Sequence, residues 1–208
     1  MNTVNAMIEF EADVRRQVKR AGGTCHFPMT RTVDFDADGT QVNGYWDEEN
    51  LVMACAMDQP EDQRLRLLAH EFGHFRQYIE DRPAYTACYT GNAEQVGFGW
   101  VCGEDYCDDD AKVALGVLRN MELDCERVTL RILREYSLPM DVEEYCRRAA
   151  AYVYFYHVMA EHRVWYTAGK EPYNIPGIVD LMPTTLEGDF NTIPKFIMDA
   201  MVKLCLDD

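Results

Sequence analysis

Residues 65–80, LRLLAHEFGHFRQYIE, constrain this chain more than any other stretch, because they carry His70-Glu71-x-x-His74 inside a strongly helical run. Two histidines four residues apart lie about 40° apart around a helix axis and one turn along it, so both imidazoles can reach one metal ion. Glu71 sits beside them on the wheel, where its carboxylate can take a proton from a water activated by the metal instead of binding the metal itself. The chain has 5 His and 17 Glu among 208 residues. A shuffled chain of that composition would produce the pattern only about 0.01 times, so it is a specific signal.

The competing reading is two polar residues on an ordinary amphipathic helix. Leu65, Leu68, Phe72, Phe75 and Ile79 recur as one apolar stripe, and His70 and His74 project from roughly the opposite side. Histidines placed there face either solvent or a cleft, and the glutamate between them favours a metal site.

With 208 residues, nearly half of them apolar, the chain can bury a substantial core and is expected to form one domain. Its expected parts are an N-terminal helix and small sheet over about 1–57, a helical catalytic part over about 60–168 and an irregular C-terminal wrap over 169–208. The formal net charge of −16 repels nucleic-acid phosphates and anionic membranes, and neither is an expected partner. It permits a basic partner, including one captured by an acidic surface that mimics DNA. The first residues lack a basic region followed by an apolar one, and no apolar run approaches membrane-spanning length, so a soluble cytoplasmic protein is expected. The eight cysteines then read as reduced thiols, mostly small core residues.

Along the chain, Val4, Met7, Ile8, Val14 and Val18 suggest an amphipathic helix over 3–20, ended by Gly22-Gly23. Val33, Phe35, Asp38-Gly39, Val42, Tyr45 and Trp46 predict a hairpin around an Asp-Gly turn. Asp34-x-Asp36-x-Asp38-Gly39 also matches the opening of a calcium loop, but the twelfth position is Tyr45 where that loop requires Glu, and a plain acidic turn is the simpler reading. The apolar run 51–56 predicts a strand, either an edge able to pair with an extended peptide or one buried within a sheet. Residues 84–107, with four glycines and several aromatics, read as irregular structure. Cys102 and Cys107 there are too loosely spaced for a convincing zinc pair.

A second long helix is expected over about 109–136. On its wheel Glu122 and Glu126 share a stripe with Leu115, Leu118, Thr129 and Leu133, while Asp124 lies opposite with Arg127 and Arg131. A buried carboxylate needs compensation, which a metal ion or a metal-bound imidazole supplies; the alternative is a pairing of Glu122 with Arg119 or Lys112. A third helix, about 141–166, is apolar almost all round between 149 and 160, hence central. His157 on it is either a hydrogen-bonded core histidine or a donor aimed into the cleft, and the core reading is preferred.

His70-Glu71-x-x-His74 followed by Glu122-x-x-Cys-Glu126 resembles the gluzincin metallopeptidases, whose H-E-x-x-H is completed by E-x-x-x-D on a second helix. The resemblance covers about residues 44–135. It implies an α+β, zincin-like fold, mainly helical with a small N-terminal sheet beside the H-E-x-x-H helix. It also implies zinc bound by His70, His74 and Glu122, with Glu71 as general base and Glu126 in the place of the Asp that orients a ligand histidine. The expected activity is hydrolysis of a peptide or protein substrate, with His157, a tyrosine of the set Tyr152, Tyr154 and Tyr156, or Arg163 as transition-state donor. The whole chain is also similar to small H-E-x-x-H proteins of tailed bacteriophages, a likeness that carries no substrate. A function of a different class is a non-catalytic, zinc-stabilised interaction module.

Overall fold

The computed structural model describes residues 3–35 and 39–206, and the architecture is α+β, mainly helical with a few short strands. In chain order come helix α1 (Thr3–Arg20), strands β1 (Thr24–His26), β2 (Val33–Asp34), β3 (Gln41–Val42), β4 (Gly44–Asp47) and β5 (Val52–Cys55), and helix α2 (Glu61–Ile79). Helices α3 (Pro83–Thr90), α4 (Ala93–Val101), α5 (Asp108–Glu135) and α6 (Val142–His162) follow, then a 3-10 turn (Pro172–Asn174), α7 (Pro176–Val179), α8 (Lys195–Met201) and a π-helical turn (Val202–Leu206). These elements form two compact units, residues 1–82 with 127–140 and residues 83–126 with 141–208. The boundary differs from the expected parts because α5 is one unbroken helix whose C-terminal end belongs to the first unit.

In the first unit, α1 buries Phe10, Val14 and Val18 and leaves Ile8 62% exposed. The apolar stripe therefore runs through Phe10 and not Ile8, because Phe10 meets Phe72 of α2 edge-on at 5.9 Å and Tyr136 at 4.9 Å between ring centroids. Beside this contact the Asp13 carboxylate accepts hydrogen bonds from the Tyr136 hydroxyl, from Gln17 at 2.7 Å and from Arg16. Burial pushes the Asp13 pKa up, but the bonds from Tyr136, Gln17 and Arg16 outweigh it and hold the carboxyl below its ordinary range. Burial and the bond to Asp13 push Tyr136 up to about 12. A carboxyl depressed in the folded state stabilises the fold above its unfolded pKa, and that contribution is lost as pH falls through the folded value. The urea midpoint of the protein is therefore expected to fall as pH drops below about 4. Asp13→Asn should flatten that fall, and an unchanged acid limb in Asp13→Asn would refute the contribution.

The sheet has the order β1-β5-β4, with β1 parallel and β4 antiparallel to β5. The strand predicted at 51–56 is thus central and not an edge, and its residues Met53, Ala54, Cys55 and Ala56 are buried. It is paired on both sides and carries α2 against the sheet, where Trp46 of β4 meets Phe75 at 5.2 Å. The outer strands of this sheet are β1 and β4. Of the predicted hairpin, β2 and β3 pair antiparallel, with Val33 opposite Val42 and the Phe35 amide donating to the Thr40 carbonyl at 2.9 Å, whereas Tyr45 and Trp46 belong to β4 and pair with β5 instead. Asp36 and Asp38 of the acidic turn considered for calcium lie outside the described residues.

Helix α2 begins after Pro60 with Glu61 and Asp62 in its first turn, favourable for the helix dipole. It stops where Asp81 turns left-handed (φ 48°) and Arg82 is constrained by Pro83. Leu65, Leu68, Phe72 and Phe75 are buried as the stripe predicts, whereas Ile79 is 44% exposed at the helix end. In the same unit a cavity of about 250 Å³ is bordered by Met7, Ile8, Phe27, Met29, Met57 and Arg64; neither histidine lines it.

In the second unit, residues 84–107 are not irregular: they form α3 and α4. Glycine is a poor helix former, but here it is selected by contact. A Cβ on Gly97 would lie 3.0 Å from Leu118 Cδ1 and 3.3 Å from Leu115 Cδ2, a tight fit, so glycine lets α4 approach α5 without displacing these side chains. Asp141 caps α6 by accepting from the Glu143 and Glu144 amides at 3.0 and 3.1 Å. α6 ends a turn earlier than its apolar pattern predicts, because Arg163 turns left-handed (φ 52°). Its guanidinium then holds the carbonyls of Trp100 and Glu104, each at 2.8 Å, closing the end of α4. The segment after α6 wraps as expected, tied down by Arg148 to the Tyr173 carbonyl at 2.7 Å and by Arg147 to the Met182 carbonyl at 3.1 Å. Among the described residues no helix is long and apolar enough to cross a membrane.

Candidate metal centre

On α2 the spacing of His70, His74 and Gln77 places all three side chains within about 60° of arc. His70 Nε2 and His74 Nε2 face each other at 3.2 Å, with the rings nearly perpendicular. His74 Nδ1 lies 2.9 Å from Gln77 Oε1. An amide oxygen only accepts, so the proton of His74 is on Nδ1 and its Nε2 carries the lone pair. Two imidazole nitrogens bound to one tetrahedral zinc at about 2.0–2.1 Å stand about 3.3 Å apart. The observed 3.2 Å fits that requirement, and a bound ion would take the place of the proton between the two rings.

Helix α5 brings a third group. Inside the first unit Thr129 donates to the carbonyl of Ala69, next to His70, at 3.4 Å. One turn earlier on the same unbroken helix is Cys125, fully buried. His70, His74 and Cys125 offer ligand atoms all within 4.8 Å of one another. Two imidazoles and a thiol are a donor set that zinc accepts, so the residues fit the metal that the sequence motif implies.

Glu71 is 6% exposed on α2. A Cβ on Gly44 of β4 would come within 3.1 Å of Glu71 Cγ and 2.9 Å of the Ala54 carbonyl, so glycine is what lets β4 cross this close to the carboxylate. Burial, and then the negative charge of Glu71, push the Cys55 thiol well above its ordinary pKa and keep it protonated.

The carboxylates of α5 are buried as their stripe predicts, with Glu122 and Glu126 inside and Asp124 half-buried. The Tyr152 hydroxyl donates to Glu122 Oε1 at 3.5 Å and lies 3.2 Å from the Tyr156 hydroxyl. Burial, then the Glu122 charge, push both tyrosines well above their usual range, so they remain neutral donors. Glu126 accepts the Tyr145 hydroxyl. Arg119 donates to Asn191 Oδ1 at 2.9 Å and to Asn120 Oδ1, and so is not the partner of Glu122.

His157 is the hydrogen-bonded core histidine, its Nε2 on the Phe190 carbonyl at 2.9 Å. Burial lowers its pKa against the pull of that carbonyl, and Arg119 adds to the lowering. Arg163 is taken up in closing α4. None of the eight cysteines forms a disulfide, and Cys102 and Cys107 are exposed. The sequence reading missed Cys125 and Gln77. The signals were present as a cysteine three positions after Glu122 and a glutamine three positions after His74, but neither spacing alone specifies a role. Compared with known proteins, the chain matches no family model, no curated protein and no solved structure.

Proposed function

We propose that this protein is a zinc-dependent peptidase with a zincin-like catalytic arrangement. The observation that carries the reading is the His70–His74 pair, its Nε2 atoms 3.2 Å apart, with Glu71 buried between them in sequence. Bound zinc supplies Lewis acidity and a water activated near neutral pH. Glu71 accepts a proton at its carboxylate and returns it to the leaving amine. β4 is one of the two outer strands and passes close to Glu71 at Gly44, so an extended peptide paired with its edge would run beside the base.

For the third ligand the reading has two candidates, Cys125 from the cluster and Glu122 from the gluzincin resemblance. The alternative function, a structural site of an interaction module, would need a fourth protein ligand beside His70, His74 and Cys125 to close the shell.

Protein purified without chelator should contain one zinc per chain by elemental analysis, and no metal there or after zinc addition would sink the reading. Cobalt substitution then assigns the ligand. A thiolate-to-cobalt charge-transfer band should be present, should vanish in Cys125→Ser and should survive Glu122→Gln. Cys125→Ser should weaken zinc binding by more than the roughly 10–100-fold typical of losing an orienting partner. No such band, with affinity lost only in Glu122→Gln, would return the third position to Glu122.

A further inference from the structure

We propose that Gln77 is a positioning residue: it locks His74 in the Nδ1–H tautomer, so that the Nε2 lone pair already faces the metal position before any metal arrives. The proposal rests on the metal-binding reading for its purpose, but the tautomer itself is a property of the metal-free chain.

Gln77 is a polar side chain at 0% exposure, on a helix whose neighbouring positions Phe72 and Phe75 are core residues. Burying an amide costs free energy unless it is hydrogen-bonded, so this position needs a reason to carry one. Its Oε1 lies 2.9 Å from His74 Nδ1. The i, i+3 spacing from His74 to Gln77 and the i, i+4 spacing from His70 to His74 line the three up as a ladder on one helix. A free imidazole distributes its proton over both nitrogens, and the tautomer protonated on Nε2 cannot bind a metal through that atom. An accepting oxygen on the Nδ1 side removes the unproductive tautomer and fixes the ring plane. An amide does so without charge. A carboxylate would place a second buried negative charge on the same helix as Glu71, which the protein would have to compensate.

The test uses the full-length protein without metal. Long-range nitrogen–proton correlation NMR reads the tautomer of His74 directly, and the wild-type spectrum alone is decisive in one direction: a proton on Nε2 and not Nδ1 overturns the proposal. In Gln77→Met, similar in size but with no acceptor, His74 should show a mixture of tautomers, and zinc affinity should fall by about 10–100-fold. Gln77→Glu, which keeps the acceptor, should restore the single tautomer. If Gln77→Met does not fold, the comparison of wild type with Gln77→Glu still decides, because both must show the Nδ1–H form. A folded Gln77→Met with unchanged tautomer and unchanged zinc affinity overturns the positioning role while leaving the zinc reading intact. A controlled tautomer in a protein that takes up no zinc supports the positioning and sinks the zinc reading instead.

Discussion

Glu71→Gln is expected to abolish peptide hydrolysis while leaving zinc content and folding unchanged. The side chain is buried, with only 6% of its surface exposed, and Gln matches Glu in size, so the packing against Gly44 of β4 is preserved. What is lost is the basic oxygen. Loss of a general base costs on the order of 10²–10⁴-fold in rate, far outside assay scatter. Fragments produced by the natural protein and by the variant are compared over an unbiased peptide library and a cell lysate, with zinc measured on the same samples. Identical fragment patterns, at equal zinc content, would end the peptidase reading and leave the zinc-stabilised interaction module in its place. Loss of zinc in Glu71→Gln would show instead that this carboxylate helps hold the ion.

The second large effect concerns stability. Phe72 is fully buried on α2, edge-on to Phe10 at 5.9 Å and stacked on Phe75 at 5.5 Å. Truncating such a side chain removes its transfer free energy and leaves a cavity, and Phe72→Ala should cost about 3–5 kcal/mol. Native domains are stable by only about 5–15 kcal/mol, so the first unit would be brought close to unfolding. Ile79→Ala, at the exposed end of the same helix, should change stability by about 0.5 kcal/mol or less. Urea unfolding followed by circular dichroism measures both. Equal effects at the two positions would mean that the α1–α2 contact does not carry the core of this unit.

What the sequence determined is what repeats along one element. The faces of α2 and α5 follow from their 3.6-residue period, and with them the burial of Glu122 and Glu126 and the near-exposure of Arg127 and Arg131. The i, i+4 spacing of His70 and His74 is likewise local. The tertiary structure decided everything that depends on a partner far away in the chain. The run 51–56 does not encode whether it is an edge or a centre; that is set by β1, a three-residue strand nearly thirty positions earlier that pairs with it in parallel. The glycines of α4 oppose a helix until Leu115 and Leu118 lie against Gly97, where a larger residue would have to displace them. Cys125 shows the same division within the candidate site. Its burial follows from the periodicity of α5, but its approach to His70 and His74 depends on how α5 packs against α2, through contacts such as Thr129 on the Ala69 carbonyl. Periodicity fixes which way a side chain faces, whereas the identity of the group it meets is a property of packing between elements, which no local pattern contains.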